Sequence, residues 1–368
     1  MNVKRTISCL CIVLLLFAAN YIAFTGIRSL LSTIQGYEEM RPLERSGTYI
    51  ANLDPESEPD LASITNADMQ KTFDYIQSSF DCAVYSDGYI TELPDCDMEV
   101  ALDYMSEEYC ALLPFELAQG SIPCFNNDLD KDIPVVVGAG LSKAYPLGSE
   151  ISVTDPALGH PVTYRVTGVL KQNACRSNFY SLNWKSYLNF SVLVPINEEF
   201  IENAGIDFHV NALMDLIVLN TTEEKTQKLG DTVADTLGFK LNFYTQSENN
   251  AEFKDNYLPA LLLRFGLALV LFAAAAFIAL RTKGLTVIHW AVLCAVCLAA
   301  TAVLTAVDRH SAWIEKSTLV AAYGFLGLIG IDWLALAAVM IIDALLGAII
   351  IVCKRKKLPL DSAVFIKQ

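Results

Sequence analysis

Apolar positions fall along this chain in four long runs, and a polar block far longer than any linker separates the first from the second. The runs are Ile7 to Leu31 at the N-terminus, then Tyr257–Leu280, Leu285–Val307 and Ile331–Cys353 in the C-terminal third. A hydrocarbon core of about 30 Å takes about 20 helical residues at about 1.5 Å each, so every run predicts a membrane span. Residues 32–256 are long enough to fold as a domain outside the bilayer. The expected fold class is a membrane protein with four transmembrane α-helices, one before and three after a large α+β extracytoplasmic domain. That layout narrows function to transport, sensing or anchoring.

Basic residues set the expected orientation. Lys4 and Arg5 precede the first span, Arg281 and Lys283 sit in the short turn 281–284, and Lys354, Arg355, Lys356 and Lys357 follow the fourth. Four crossings put all three clusters on one side. Residues 1–6, 281–284 and 354–368 are therefore expected in the cytoplasm, and 32–256 and 308–330 outside the cell membrane. The first run reads as an uncleaved signal anchor rather than a signal peptide, because it is long for an h-region and lacks a clear small-x-small site. Ser317–Gly330, broken by glycines and followed by Asp332, reads as an interfacial helix in the outer loop. A fifth span would carry Lys354–Lys357 outside, against the charge rule.

Within the polar block the period of the apolar positions changes from segment to segment. Phe24–Glu44 continues the first span as a helical stalk. Asn66–Phe80 predicts a helix capped by Asn66, with Met69, Phe73, Ile76 and Phe80 on one face. Cys82–Leu93 alternates like strands around a Ser-Asp-Gly turn, and Ser106 starts a short helix. Ile133–Gly138 reads as a buried strand, Leu141–Gly148 as a helical turn, and Glu150–Thr154 and Val162–Leu170 as strands around the turn at Asp155. Ser191–Pro195 adds a strand. Asp215–Asn220, Lys225–Leu237 and Phe239–Tyr244 then form a β-α-β unit with Gly238 closing the helix. The domain is expected to be α+β, built of two interleaved lobes.

Charge changes the picture outside the spans. The chain's formal charge is −15, but 36 of its 41 acidic residues lie between Ser32 and Asn256, against 13 Lys and Arg. A block near −23 argues against nucleic acid or anionic lipid as the domain's partner. It reads either as a soluble, self-repelling surface or as a docking face for something cationic, such as a basic peptide. Of ten cysteines, Cys9, Cys11, Cys294, Cys297 and Cys353 lie in or beside spans, where they behave as small hydrophobes. Cys82 and Cys96 share their separation with Cys110 and Cys124, and an oxidising exterior would allow both pairs to close. Cys175 is left over, and sequence does not fix the pairing.

Ionisable residues inside lipid cost about 2.5–3.5 kcal/mol at a helix centre and call for partners. Arg264 lies about 10 Å into span two and Asp343 about 18 Å into span four, at about 1.5 Å per residue. The candidate is an Arg264–Asp343 ion pair; the alternative has Arg264 snorkelling outward and Asp343 protonated. His289 beside Trp290 reads as an interfacial anchor. His160, His209 and His310 are isolated and no HExxH occurs, so no metal site is expected. Val137-Gly-Ala-Gly-Leu lacks the third glycine of a dinucleotide loop, and neither a P-loop nor G-x-S-x-G is present. No catalytic or cofactor-binding residues are expected.

The strand-rich segment resembles the MacB-like periplasmic core domain of the FtsX/MacB family of ABC-transporter permeases. The residues that carry it are Val135-Val-Val-Gly-Ala-Gly-Leu-Ser-Lys-Ala-Tyr-Pro-Leu-Gly-Ser-Glu-Ile-Ser-Val and Tyr164-Arg-Val-Thr-Gly-Val-Leu. Leu193-Val-Pro, Asp215–Tyr244 and the one-plus-three span layout support it. The resemblance implies a permease-like subunit of export or mechanotransmission type, working as a homo- or heterodimer with a separate cytoplasmic ATP-binding subunit. It also implies a bacterial origin, which makes the sequons at Asn189 and Asn220 incidental. One departure stands out. The family's charged "R-E-I-G-x-x-R-A-x-G" segment between spans two and three is replaced by Arg281-Thr-Lys-Gly. Coupling would then fall to Arg281, Lys283 and Lys354–Lys357, the candidate cytoplasmic contacts. The second expectation, a non-coupling accessory protein with the same outer domain, follows from that short turn.

Overall fold

The computed structural model describes residues 3–94, 96, 99–126, 128–314 and 328–357, with the backbone alone described at 3–4, 308–314 and 356–357. Helix α1 runs Val3–Met40 and passes into a 3-10 turn at Arg41–Glu44, where Pro42 needs no N–H partner. Helices α7 (Gln246–Arg281), α8 (Val287–Ile314) and α9 (Gly330–Lys357) complete the long set. Among the described residues, four helical segments are long and apolar enough to cross a membrane: Arg5–Glu44, Gln246–Arg281, Val287–Val307 and Gly330–Arg355. The interfacial helix anticipated at Ser317–Gly330 lies almost wholly outside the described residues.

The chain divides into a helical unit and a domain. In the helical unit the buried face is small. Ala19 and Ala23 of α1, Ala268 and Ala279 of α7, Cys294 and Cys297 of α8, and Ala335 of α9 pack together around Phe24, Phe272 and Trp290. Large side chains such as Leu263, Leu269 and Ile288 point out. Small residues let helix backbones approach where lipid offers no hydrophobic drive for association. Both Cys294 and Cys297 act as apolar packing residues here, as their position within a span predicts.

The domain holds two larger sheets and a ribbon. The four-stranded sheet runs β13-β1-β12-β2, with β1 at Tyr49–Leu53, β2 at Asp81–Ala83, β12 at Ile217–Leu219 and β13 at Leu241–Tyr244, every neighbour antiparallel. The seven-stranded sheet runs β3-β4-β11-β6-β8-β5, with β7 also on β8. Its strands are β3 (Tyr85–Glu92), β4 (Glu99–Met105), β5 (Leu117–Gly120), β6 (Ile133–Val137), β7 (Glu150–Thr154), β8 (Pro161–Leu170) and β11 (Ser191–Pro195). The ribbon pairs β9 (Cys175–Ser177) with β10 (Lys185–Tyr187). The chain leaves the four-stranded sheet after β2 and returns only at β12, so the lobes interleave.

The expected β-α-β unit is split. Strands β12 and β13 flank β1 on opposite sides, joined by α6 (Glu223–Leu237). Thr226, Leu229, Val233 and Leu237 bury one face of α6, and Gly230 lets it approach so closely that a Cβ would lie 2.4 Å from Leu241 O. Gly238 ends the helix at φ 77°, a left-handed conformation that costs other residues about 1–2 kcal/mol.

Two local expectations are corrected. Thr65, not Asn66, caps α2 (Asn66–Ser79): its side chain accepts from Asp68 N while the Asp68 carboxylate reaches back to Thr65 N, a capping box. Ser86-Asp-Gly is not a hairpin turn but an irregularity within β3, and β2 and β3 belong to different sheets. The helical turn expected at Leu141–Gly148 is present: Tyr145 N and Ala144 N both donate to Leu141 O.

Candidate functional site

Two polar links join α1 to α9 inside the helical unit. Arg28 Nε lies 2.7 Å from Asp332 Oδ1, while Asp332 Oδ2 accepts from Ile329 N at 2.8 Å and so caps α9. Farther along, Asn20 Nδ2 donates to Asp343 Oδ2 at 2.9 Å, with both residues fully or almost fully buried. Trp290 Nε1 donates to the Asp343 carbonyl at 3.1 Å, and its indole fits because Gly347 has no Cβ, which would lie 2.6 Å from the ring.

This geometry corrects the anticipated Arg264–Asp343 pair. Arg264 lies on the exposed surface of α7, and Asp343 faces Asn20 instead. Depth along a span says nothing of rotational phase. The pair that does form was missed because Arg28 and Asp332 sit at the ends of their runs. Their shared end of the bundle was the available signal.

At the other end of the bundle, cations bind backbone. Lys354 Nζ donates to Thr282 O at 3.1 Å and Leu285 O at 3.3 Å, and Arg5 Nη2 donates to Gly284 O at 3.2 Å. Carbonyls of the turn that follows α7 are thus satisfied by positive side chains, the sign the helix dipole favours at that end. Arg281 stacks over Phe277, 4.1 Å from the ring centroid. Lys283 and Arg355 are exposed, and the side chains of Lys356 and Lys357 are not among those described. His289 bonds Thr286 Oγ1 through Nδ1 at 2.6 Å, so it works at the start of α8.

In the domain, buried polar groups cluster around Arg176 on β9. Its guanidinium lies 3.1 Å from the Tyr85 ring centroid, donates to Tyr109 Oη at 2.6 Å and faces Asp87 at 3.5 Å. Tyr85 in turn donates to Asp103 Oδ1 at 2.7 Å. Burial, then the charge of Asp87, pushes the Asp103 carboxyl up to about 6. Burial likewise pushes Asp215 up to about 6. A second buried carboxylate, Asp155, accepts from Tyr104 Oη at 3.0 Å, from Tyr164 Oη, and from Ala157 N and Leu158 N at 2.7 and 3.0 Å. It holds the β7–β8 turn, with three of the four bonds on Oδ1 and one on Oδ2.

A groove of about 1150 Å³ opens beside β2, α3 (Glu107–Leu112) and α4 (Glu198–Asn203). Asp81, Glu107, Glu108, Asp128, Glu198 and Glu199 line it, no Lys or Arg does among the described residues, and Phe80, Phe125, Ile196 and Leu219 supply apolar surface. Four of these acids occupy the first turns of α3 and α4, where the helix dipole favours them.

All ten cysteines are free thiols. The anticipated Cys82–Cys96 and Cys110–Cys124 bonds are not formed: Cys82 and Cys96 pack separately against the domain core, Cys110 is buried on α3, and Cys124 is exposed. Burial pushes the Cys82 thiol up to about 11.

No protein-family model and no curated protein matches the chain. Among solved structures, the periplasmic region of MacB from Actinobacillus actinomycetemcomitans is similar over 60% of this chain and 98% of that one, at 15% identity and a TM-score of 0.37. The extracellular domain of the noncanonic ABC-type transporter YknZ from Gram-positive bacteria is similar over 54% and 99%, at 14% and 0.32. A permease-protein domain from Porphyromonas gingivalis is similar over 55% and 91%, at 14% and 0.31. Along the chain, one apolar helix, an α+β domain and further apolar helices follow one another.

Proposed function

We propose that this chain is the permease-like membrane subunit of an ABC transporter of export or mechanotransmission type. It takes its energy from a separate cytoplasmic ATP-binding subunit and works as a homo- or heterodimer. The observation that carries the reading is the one-plus-three arrangement of apolar helices around an α+β domain that contains the Val135–Val153 and Tyr164–Leu170 segments. Helix continuity supports it. Helix α1 contributes residues to Ile34 to the helical unit and Gln35–Met40 to the domain, and α7 likewise belongs to both. Both termini lie in the cytoplasm, as the basic clusters at Lys4–Arg5, Arg281–Lys283 and Lys354–Lys357 favour.

The ATP-binding subunit meets a composite surface rather than a long loop. Arg5 and Lys354 hold the 281–286 backbone, which leaves Arg281, Lys283 and Arg355 exposed for an acidic partner. Outside, the groove of six carboxylates supports a cationic peptide or envelope partner over nucleic acid. The short turn supports a second reading, an accessory binding protein coupled to no ATPase.

A mild-detergent pull-down of the full chain from its native membranes, with ATPase assayed on the eluate, tests the proposal. A nucleotide-binding subunit should co-purify, and R281E/K283E should release it. A folded chain that comes down without any ATPase overturns the permease reading in favour of the accessory one.

A further inference from the structure

The ribbon β9–β10 pairs with neither large sheet, and an isolated two-stranded ribbon is marginal in water. Its position is set by what it touches. On one side lies the domain end of α1. Gln35 Nε2 donates to Cys175 Sγ at 3.8 Å, and Glu39 Oε2 accepts from Ser177 N at 3.1 Å, Lys185 Nζ at 2.9 Å and Ser177 Oγ. At Gly36 a Cβ would lie 2.3 Å from Leu182 O, so the ribbon's loop rests on the helix backbone itself. On the other side Arg176 reaches Tyr85 and Asp87 of β3 and Tyr109 of α3. Tyr180 Oη donates to Ala51 O of β1 at 2.6 Å, and Phe179 O accepts from Gln246 Nε2 of α7 at 3.0 Å.

The two faces of the ribbon each carry a buried cation, on adjacent rungs, whose counter-ion belongs to a different element. The Lys185 side chain is 2% exposed and answers to Glu39 on α1; the Arg176 side chain is 10% exposed and answers to Asp87 on β3. Separating either partner strands a buried charge, which is far costlier than displacing the ribbon. We propose that this ribbon is the coupling element of the domain: it ties the ends of α1 and α7 to both large sheets, so that a displacement of α1 is delivered to β1 and β3 through Tyr180 and Arg176. The proposal deepens the mechanotransmission reading, but its test involves no ATPase, so the two fail separately.

Hydrogen exchange of the full chain in lipid nanodiscs provides that test. Glu39→Gln and Gly36→Ala, both on α1, should raise exchange in Cys175–Tyr187 by about tenfold or more. The same variants should raise exchange in β1 and β3 while β6 and β8 keep their protection. Exchange that rises in the ribbon alone, with β1 and β3 unchanged, overturns the proposal. Tyr180→Phe approaches from the far end and keeps the ring, which covers the case in which Gly36→Ala fails to fold. It should raise exchange in Gln35–Met40, and unchanged exchange there also overturns the proposal.

Discussion

Arg28 and Asp332 form a pair in which the two charges are unequally placed: the Asp332 side chain is 0% exposed and that of Arg28 is 26% exposed. Truncating the two partners should therefore have unequal effects. Asp332→Asn leaves a cation whose long stem can carry it toward the interface. Arg28→Met leaves an anion with no such escape, and breaking a buried pair in that way costs about 3–5 kcal/mol. Thermal unfolding in detergent should rank Arg28→Met well below Asp332→Asn. The reverse order would mean that the capping bond from Ile329 N, rather than the ion pair, is what Asp332 contributes.

Asp103 and Asp215 make a second prediction at this scale, one of pH. Both carboxyls are raised to about 6 by burial, against about 3.9 in an unfolded chain. The folded state thus holds their protons more tightly. The contribution is fully present below about pH 4 and is lost as pH rises through about 6. The urea midpoint should be higher at pH 5 than at pH 7.5, with an unfolding free energy larger by about 1 kcal/mol per group. Relief of the domain's acidic self-repulsion acts in the same direction, so Asp103→Asn is the control. It keeps an acceptor for Tyr85, and it should be steadier than the native chain at pH 7.5 with a flatter pH profile.

Among elements, the contact of α8 with α9 turns on one missing methyl group. Gly347→Ala would drive a Cβ into the Trp290 ring and should break the bond from Trp290 Nε1 to the Asp343 carbonyl. Overpacking of this kind costs about 1–3 kcal/mol. The loss should appear as a lower unfolding temperature and a red-shifted indole emission, whereas Gly266→Ala, where nothing lies within 4 Å, should leave both unchanged. Elements of this type were legible one at a time. The period of α6 and its terminating Gly238, the alternation of β8 and the turn at Asp155 all follow from local sequence. Which elements meet did not. Arg28 and Asp332 are 304 positions apart, and a helical period gives a buried face without naming its partner. Strands β2 and β3 are neighbours in sequence, yet the chain assigns them to different sheets. The acidic excess of residues 32–256 was plain, but its gathering into one groove depends on α3 and α4 folding beside β2.

For the molecule as a whole, orientation in the membrane decides which partners each face can meet. In the proposed orientation, which the cation clusters favour, the acidic groove would face extracellular or envelope molecules and the 281–286 turn the cytoplasm. Cys124 offers a direct reading, because it is the one exposed thiol among the described residues. A membrane-impermeant maleimide added to intact cells should label Cys124, and Cys124→Ala should abolish that labelling. Labelling only after permeabilisation would place the domain in the cytoplasm and remove the outer partner along with the ATPase contact at the turn. The same experiment addresses the Cys110–Cys124 bond. Cys110 is buried and both thiols are free, so labelling of Cys124 should need no prior reduction. Immediate labelling in the native chain would mean that the free thiols seen here persist on the cell surface. Residue 124 would then be a clean attachment point for distance measurements across the groove.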